Sequence, residues 1–437
     1  MNKNTRKIRY KQASIEKEFT SNNLTAYSGC LELQEFLVSH SIPSIFDKHF
    51  PTTRHSATKF STTQILLSLT LASLCGTNRL CNIEHFTADP LIRTLLNLKN
   101  QVDEDTLSYR LKQLGESGAR QLTEVLFKLY SKFLPASPNG SMIIDIDSTV
   151  ESTYGNQEGA SKAYNPQKKG LKSYHPNIAF CSETKQILGS FFRCGNAYTS
   201  NGTIDLIKQV LAHLPTSFNQ LLFRMDCGYF SNDILSFIEA QEKEYLVKVK
   251  LKGLRALLKE KEWETYNDKL AFCKFEYRCK SWDKTRTFIG VRRVKRKGET
   301  AFFNSHETIP FIEYEYCAIC TSLDLEPDQI YRLYNKRGEC ENWIEQVKHQ
   351  LYGCHTLTKN FWVNDILWQI ATFAYNISLT FRMKAGRKFW KEEHRTFYNW
   401  FIAVPGKVIK TARTIILKQS KYYLFRYKYG ELISKLK

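Results

Sequence analysis

The stretch SMIIDIDST, residues 141–149, decides how the rest of the chain is read. Its first half is a short apolar strand, and it ends in two acids and two hydroxyl residues. Asp145 and Asp147 are two positions apart, so on a strand both carboxylates share one face. Acids at strand ends stand where α/β sheets place their ligands. Downstream, YHPNIAFCSE (174–183) and ILGSFFRCGN (187–196) read as two more strands joined by the turn-like Thr184-Lys185. NGTIDLIKQVLAHLP (201–215) is an amphipathic helix closed by Pro215. LLFRMDCGYFS (221–231) is another strand, ending in Asp226, and a helix (232–242) and the strand EYLVKVKLK (244–252) follow. This alternation predicts an α/β core.

Upstream of residue 135 the pattern is helical. SATKFSTTQILLSLTLASLCG (56–76) opens on Ser/Thr capping candidates and ends at Gly76, and VDEDTLSYRLKQLG (102–115) ends at Gly115. Short helices with tight polar turns fit a helix-turn-helix unit, with Thr106, Ser108, Arg110 and Lys112 on an exposed face. They equally fit a small bundle that only supports the core. Downstream, LAFCKFEYRCKSW (270–282), TRTFIGVRRVKRK (285–297) and YEYCAICTSL (314–323) have the β-branched and aromatic content of strands. Helical character returns at EPDQIYRLYNKRGECENWIEQVKHQL (326–351), with Pro327 in its first turn. The expected division is 1–137, an N-terminal helical DNA-binding region; 138–262, the first part of the core; 263–324, a β-rich insertion; 325–385, the second part of the core; and 386–437, a basic C-terminal tail.

The chain has 437 residues, with 63 Lys and Arg against 43 Asp and Glu, a net charge of +20. A surplus of that size attracts a polyanion, and nucleic acid fits through phosphate neutralisation and counterion release. The tail from Lys407 carries nine Lys or Arg against Glu431 alone. No apolar run approaches the roughly 20 residues of a membrane span, and the basic N-terminus lacks a signal peptide's apolar stretch. A cytoplasmic protein without a membrane partner is expected. Its twelve cysteines are then reduced. Cys317 and Cys320 form one CxxC, but Cys340, Cys354 and His355 do not complete a zinc pattern, so ordinary strand packing is the reading.

A third acid completes a constellation. In the helix at 326–351, Tyr334, Arg337, Glu341 and Lys348 are spaced Y-x2-R-x3-E-x6-K. Steps of three, four and seven keep them on one helical stripe. Glu345 shares that stripe as a possible substitute, as Asp145 is for Asp147.

This spacing resembles the signature helix of DDE-class bacterial insertion-sequence transposases, the cut-and-paste YREK group. DIDST is similar to their first-Asp strand and FRMDCGYF to their second. YGNQEGASKAYNPQKKGLKSYHPN and RCGNAYTSNG are similar to blocks of one subgroup. The resemblance covers about 140–385, and the N-terminal helices more loosely. It implies an RNase H-like core interrupted by a β-rich insertion, with Asp147, Asp226 and Glu341 as catalytic and metal-binding acids. Asp147 is preferred over Asp145 because Ser148 and Thr149 follow it directly.

Two Mg²⁺ ions (Mn²⁺ able to substitute), roughly 3.5–4 Å apart, would be held by these acids. Asp147 would bridge them. Arg337 and Lys348 would hold phosphate oxygens, and Tyr334 would donate to a phosphate. Lys168, Lys169, Lys172 and His175 follow the first acid in a basic loop placed to grip a DNA strand. Arg292, Arg293, Lys295, Arg296 and Lys297 form a run placed to line the DNA. Trp263, Trp282 and Phe288 are candidates for base stacking, against the plainer reading of strand packing. The expected partners are double-stranded DNA, as element ends and target, and a second copy of the chain on paired ends. A nuclease that cuts without joining, and a non-catalytic DNA-binding regulator, are the rival functions.

Overall fold

The computed structural model of the chain describes residues 8–10, 13–15, 18–51, 59–77, 79–135, 137, 139–162, 165, 168–198, 200–301, 308–353 and 358–436, with the side chains of 8–10, 13–15, 297–301 and 308–311 excepted. The chain divides into two compact units, residues 110–380 and residues 1–109 with 381–437.

The first of these is mixed α/β. Its strands are β1 (Ser141–Ser148), β2 (Asn177–Cys181), β3 (Ile187–Phe191), β4 (Gln220–Met225), β5 (Glu244–Lys248), β6 (Glu264–Asn267), β7 (Leu270–Tyr277), β8 (Arg286–Ala301) and β9 (Thr308–Thr321). They form one nine-stranded sheet in the order β6-β7-β8-β9-β5-β4-β1-β2-β3. β1, β4 and β5 are mutually parallel, and the other neighbours are antiparallel. The β-rich segment therefore continues the core sheet, because β9 pairs with β5 through Val247 and Cys320.

Alternation along β1 separates two faces. Met142, Ile144 and Ile146 join a core with Phe223, Met225 and Val247, under helices α1 (Thr203–His213) and α2 (Asn232–Ala240). The opposite face carries Asp145 and Asp147 on β1. On β5, β8 and β9 it is apolar: Leu246, Ile289, Val291 and Ile319 pack with Ile330. Ile330 lies in helix α3 (Pro327–Asn335), which Pro327 and a Glu326–Gln329 capping box start. Cys317 and Cys320 pack into these two separate apolar clusters, as strand packing requires, while Cys354 and His355 lie outside the described residues. Helix α4 (Glu339–Glu345) follows a tight turn at Lys336–Gly338, and α5 (Phe361–Lys384) closes the edge of the sheet.

Edge strands leave unpaired backbone groups that must be satisfied. On β3 this is done by α5 side chains. Asn376 accepts from Ile187 N at 2.9 Å and donates to Ile187 O at 2.8 Å, and Gln369 Nε2 donates to Ser190 O at 3.1 Å. The polar residues within an otherwise apolar helix are thereby explained.

The second unit is helical with a small sheet. Helix Thr62–Leu74 starts at a Ser61–Gln64 capping box and is almost wholly buried. The segment expected as a basic tail folds within this unit. Gly406–Lys410 pairs with Ile415–Gln419 and Leu24–Thr25, and Arg426–Leu436 is a helix. Tyr429 donates to Glu32 at 2.6 Å and stacks on Phe401. The apolar side chains interleaved among the basic residues provide that packing. The helical stretch Glu104–Phe133 breaks at Gly115 (φ +53°), where a helix end was expected, and then resumes. No described helix is long and apolar enough to cross a membrane.

One buried acid gives the fold a pH signature. Asp365 of α5 is buried and accepts from Gln369 Nε2 at 3.1 Å. Burial raises its pKa from 3.8 to about 7, against the opposing pull of that bond and of Arg120. The folded chain thus holds this proton more tightly than the unfolded one. The contribution to stability is full below pH 4 and is lost as pH rises to 7. Asp365→Asn is expected to flatten that loss, which is on the order of 4 kcal/mol. Urea denaturation at a series of pH values checks it, and an unchanged slope would acquit Asp365.

Candidate active site

The parallel pairing of β1 with β4 aligns Ile146 with Met225, so the next residues, Asp147 and Asp226, stand side by side at the carboxyl ends of neighbouring strands. Asp147 is buried at 7% exposure. Its Oδ1 accepts from the Ser148 amide at 2.9 Å, and its Oδ2 accepts from Arg337 Nη1 at 2.9 Å and from the Cys340 thiol at 3.4 Å. Burial raises its pKa; Arg337 opposes that rise and Asp226 adds to it. Asp226 caps the short turn Cys227–Tyr229, its Oδ1 accepting from Gly228 N at 2.9 Å.

Asp145 shares the face of Asp147 but not its surroundings. It is fully buried, and its two oxygens accept from Arg224 Nε and Nη2 at 2.6 and 2.7 Å. Arg224 also donates to Ser182 Oγ at 2.8 Å and to Leu333 O of α3 at 2.6 Å.

Three residues of the helical signature stay together, and Lys348 is engaged elsewhere. Tyr334 is half-buried; burial raises its pKa while Arg337 lowers it. Arg337 lies between two of the acids, with Nη1 on Asp147 and Nη2 3.7 Å from Glu341 Oε1. Burial works against its charge, but Asp147, Cys340 and Tyr334 outweigh it and raise its pKa. Glu341 keeps 70% of its side chain exposed. Glu345 stands 3.6 Å from His349. Lys348 turns to the chain just after β1. It is buried, donating to Val150 O at 2.9 Å and lying 3.3 Å from Glu151. A π turn at Gln346–Gln350 displaces it, because a wider turn advances less per residue than the α-helix on which the stripe was drawn.

Among the described residues no group of three or more His, Cys, Asp or Glu side chains is arranged to hold a metal ion. The Arg337 guanidinium stands between Asp147 and Glu341, its charge facing both carboxylates. The donors are all hard carboxylate oxygens, the set that Mg²⁺ or Mn²⁺ takes.

The other candidate residues spread over three places. Lys168 and Lys169 are exposed, Lys168 bonding to Tyr154 OH, and Lys172 donates to Asn156 at 2.9 Å. His175 is buried, its amide on Arg193 O, which takes it out of the exposed loop. The basic run on β8 is partly neutralised across the ladder. Arg293 pairs with Glu315 at 2.5 Å and Lys295 with Glu313 at 2.9 Å, while Arg292 lies over Trp263 and Tyr314. Arg296 is exposed, and the side chain of Lys297 lies outside the description. Phe288 is fully buried, Trp282 packs on Phe230 and Arg286, and Trp263 donates to Leu258 O, so all three serve packing. Thr106 is taken up by the helix cap, its amide and hydroxyl donating to Asp103, and Lys112 is exposed.

Three residues at the site were not anticipated. Arg224 is carried two positions before Asp226, where its pairing with Asp145 needed the β1–β4 register to be seen. Cys340 is adjacent to Glu341 and looked like any cytosolic thiol. Tyr229 is fully buried behind Asp147, donating to Asn177 Oδ1 at 2.8 Å.

Over residues 7–437 the chain matches the family described as Transposase DDE domain group 1. No curated protein matches it. Among solved structures it is similar to the cryo-EM structure of the piggyBac transposase synaptic complex with hairpin DNA, at 12% identity and a TM-score of 0.47, covering 87% of this chain and 83% of that one.

The two first-strand acids are separable by stability. Asp145→Asn leaves Arg224 buried and half-paired, so a loss of about 3–5 kcal/mol is expected. Asp147→Asn relieves a buried charge and keeps an acceptor for Ser148, and Arg337, though it loses one partner, retains Glu341, so a smaller loss of about 1–2 kcal/mol is expected. Equilibrium urea unfolding of both variants checks this, and equal losses would overturn the division of roles.

Proposed function

The chain belongs to the family of transposases with a DDE domain, and from that premise we propose that it cleaves phosphodiester bonds at the ends of an insertion sequence and joins the 3′ ends to target DNA. In this reading residues 110–380 hold an RNase H-like core. The run β3-β2-β1-β4-β5, in which β2 alone runs opposite to the other four strands, supports that assignment. The observation that carries the proposal is the pair Asp147 and Asp226 at adjacent strand ends, with Arg337 linking Asp147 to Glu341.

Asp147, Asp226 and Glu341 are the residues that would hold two divalent ions, Mg²⁺ or Mn²⁺. Bound there, such ions activate the attacking oxygen and stabilise the leaving one. The chain's own groups do the rest. Asp147 is held in one rotamer by the Ser148 amide and the Cys340 thiol. Arg337, already desolvated, offers a planar fork to phosphate oxygens once drawn from Asp147. The exposed Glu341 is free of packing and can turn toward the two strand-end acids. Lys348 positions rather than grips: through Val150 and Glu151 it ties the chain after β1 to the helix of Glu341. Lys168, Lys169 and Arg296 lie exposed for contact with double-stranded DNA. A homodimer on paired ends belongs to this reading.

Incubation of the purified chain with DNA flanking its reading frame, a target plasmid and Mg²⁺ tests it. Joined products are expected, and nicks alone would favour the nuclease. Asp147→Asn, Asp226→Asn and Glu341→Gln are each expected to bring products to the protein-free background. A variant with wild-type yield would remove that acid from the site.

A further inference from the structure

The row of strand ends that carries the two acids has a third member. Met225 is aligned with Ile146 on one side and with Val247 on the other, so the next residues along, Asp147, Asp226 and Lys248, lie in one line across β1, β4 and β5. They also share a face. Arg224 reaches Asp145 on that side of the sheet, and Leu246, aligned with Arg224, packs there with Ile330 of α3. Two residues further along each strand the direction repeats. Neighbouring strands are about 4.8 Å apart, so Lys248 stands one spacing from Asp226 and two from Asp147.

Lys248 is exposed at the mouth of a cavity of about 120 Å³ that it lines with Arg293, Glu315, Tyr331, Tyr334 and Asn335. This cavity is continuous with the catalytic helix through Tyr334, whose phenol feels both Arg337 and Asp226. Its lining holds two cations against one carboxylate, with Arg293 engaged by Glu315 at 2.5 Å. The phenols and the Asn335 amide add neutral donors. Val291, Cys317 and Ile319 complete the lining, and its polar groups suit a small, many-acceptor anion better than a cation.

We propose that Lys248, with Arg293, Tyr331 and Tyr334, forms a phosphate subsite that holds the DNA phosphodiester flanking the one processed at Asp147 and Asp226. The inference rests on the DNA-processing reading above and adds a residue outside the three acids and the helical signature. Lys248 supplies positive charge one strand from Asp226 and two from Asp147, acids that otherwise repel the DNA backbone.

The test is the salt dependence of binding by the full chain to the flanking-DNA duplex of the joining assay. Each phosphate contact contributes about 0.9 to the slope of log K against log salt. Lys248→Gln is expected to lower the slope by about that amount and to weaken binding about tenfold, the loss of one charge-assisted contact. Lys248→Arg should keep the wild-type slope, and Lys208→Gln, on α1, should leave both quantities unchanged. Thermal melting of each variant shows that it is folded. A wild-type slope in Lys248→Gln, or one lowered equally by Lys208→Gln, overturns the subsite and leaves the transposase reading standing. Binding by the wild-type chain that ignores salt overturns both.

Discussion

The arrangement of the site depends on one buried guanidinium. Arg224 makes a two-pronged ion pair with Asp145 on the neighbouring strand, bonds to Ser182 just beyond β2, and donates to the Leu333 carbonyl near the end of α3. Three pieces of chain far apart in sequence converge on that one side chain. Burying such a pair is costly, because both charges leave water, and its value lies in geometry more than in net stability. Here the geometry is the register of β1 against β4. A slip of one residue would point Asp147 into the apolar core and separate it from Asp226. The same guanidinium fixes where α3 ends, and thereby where Arg337 begins.

Charge around the acids is balanced locally before any DNA arrives. Asp147 is desolvated and has Asp226 beside it, two effects that disfavour its ionised form. Arg337 offsets both. Further out, Glu151 has Lys348, Glu313 has Lys295 and Glu315 has Arg293. The surplus of 20 positive charges is thus not spread evenly over the residues that looked basic in the sequence. Arg293 and Lys295 of the β8 run are engaged in cross-strand pairs, and exposed cations lie on loops such as Lys168 and Lys169, at strand ends such as Lys248, and at Arg296.

Local patterns were legible and long-range ones were not. The strand of SMIIDIDST, the helix from Thr62 with its Ser61 cap, and the helix closed before Pro215 follow from periodicity and capping within a dozen residues. The strand end at Asp226 was legible because the apolar run stops at Met225 and an acid and a glycine follow. The choice between Asp145 and Asp147 was not, since it turns on Arg224, 79 residues from Asp145 in sequence. The helical stripe was read on one pitch. The chain runs through a tight 3-10 turn at Lys336–Gly338 and a wide π turn at Gln346–Gln350. Arg337 therefore keeps its alignment with Tyr334, as residues three apart eclipse in a 3-10 turn, while Lys348 rotates into the interior. The tail misled because its charges are conspicuous and its apolar anchors, Tyr429 and Leu432, are few.

The segment between the second and third acids has a use that its composition concealed. Its strands extend the core sheet, and their inner face is where α3 lies. Ile330 is fully buried against Leu246, Val291 and Ile319, and Tyr331 packs on Phe272. Removing a side chain of that size from water stabilises the docked helix by roughly 2–3 kcal/mol. The helix start is fixed by Pro327, its middle by this contact, and its end by Arg224, three constraints over nine residues. With so little freedom left, the direction in which the chain leaves α3 is set, and Arg337 and Glu341 follow within two turns. The β-rich segment thus serves as a platform for the helix that leads to Arg337 and Glu341, and any contact it makes with DNA is made from a surface whose inner side is already committed to holding that helix.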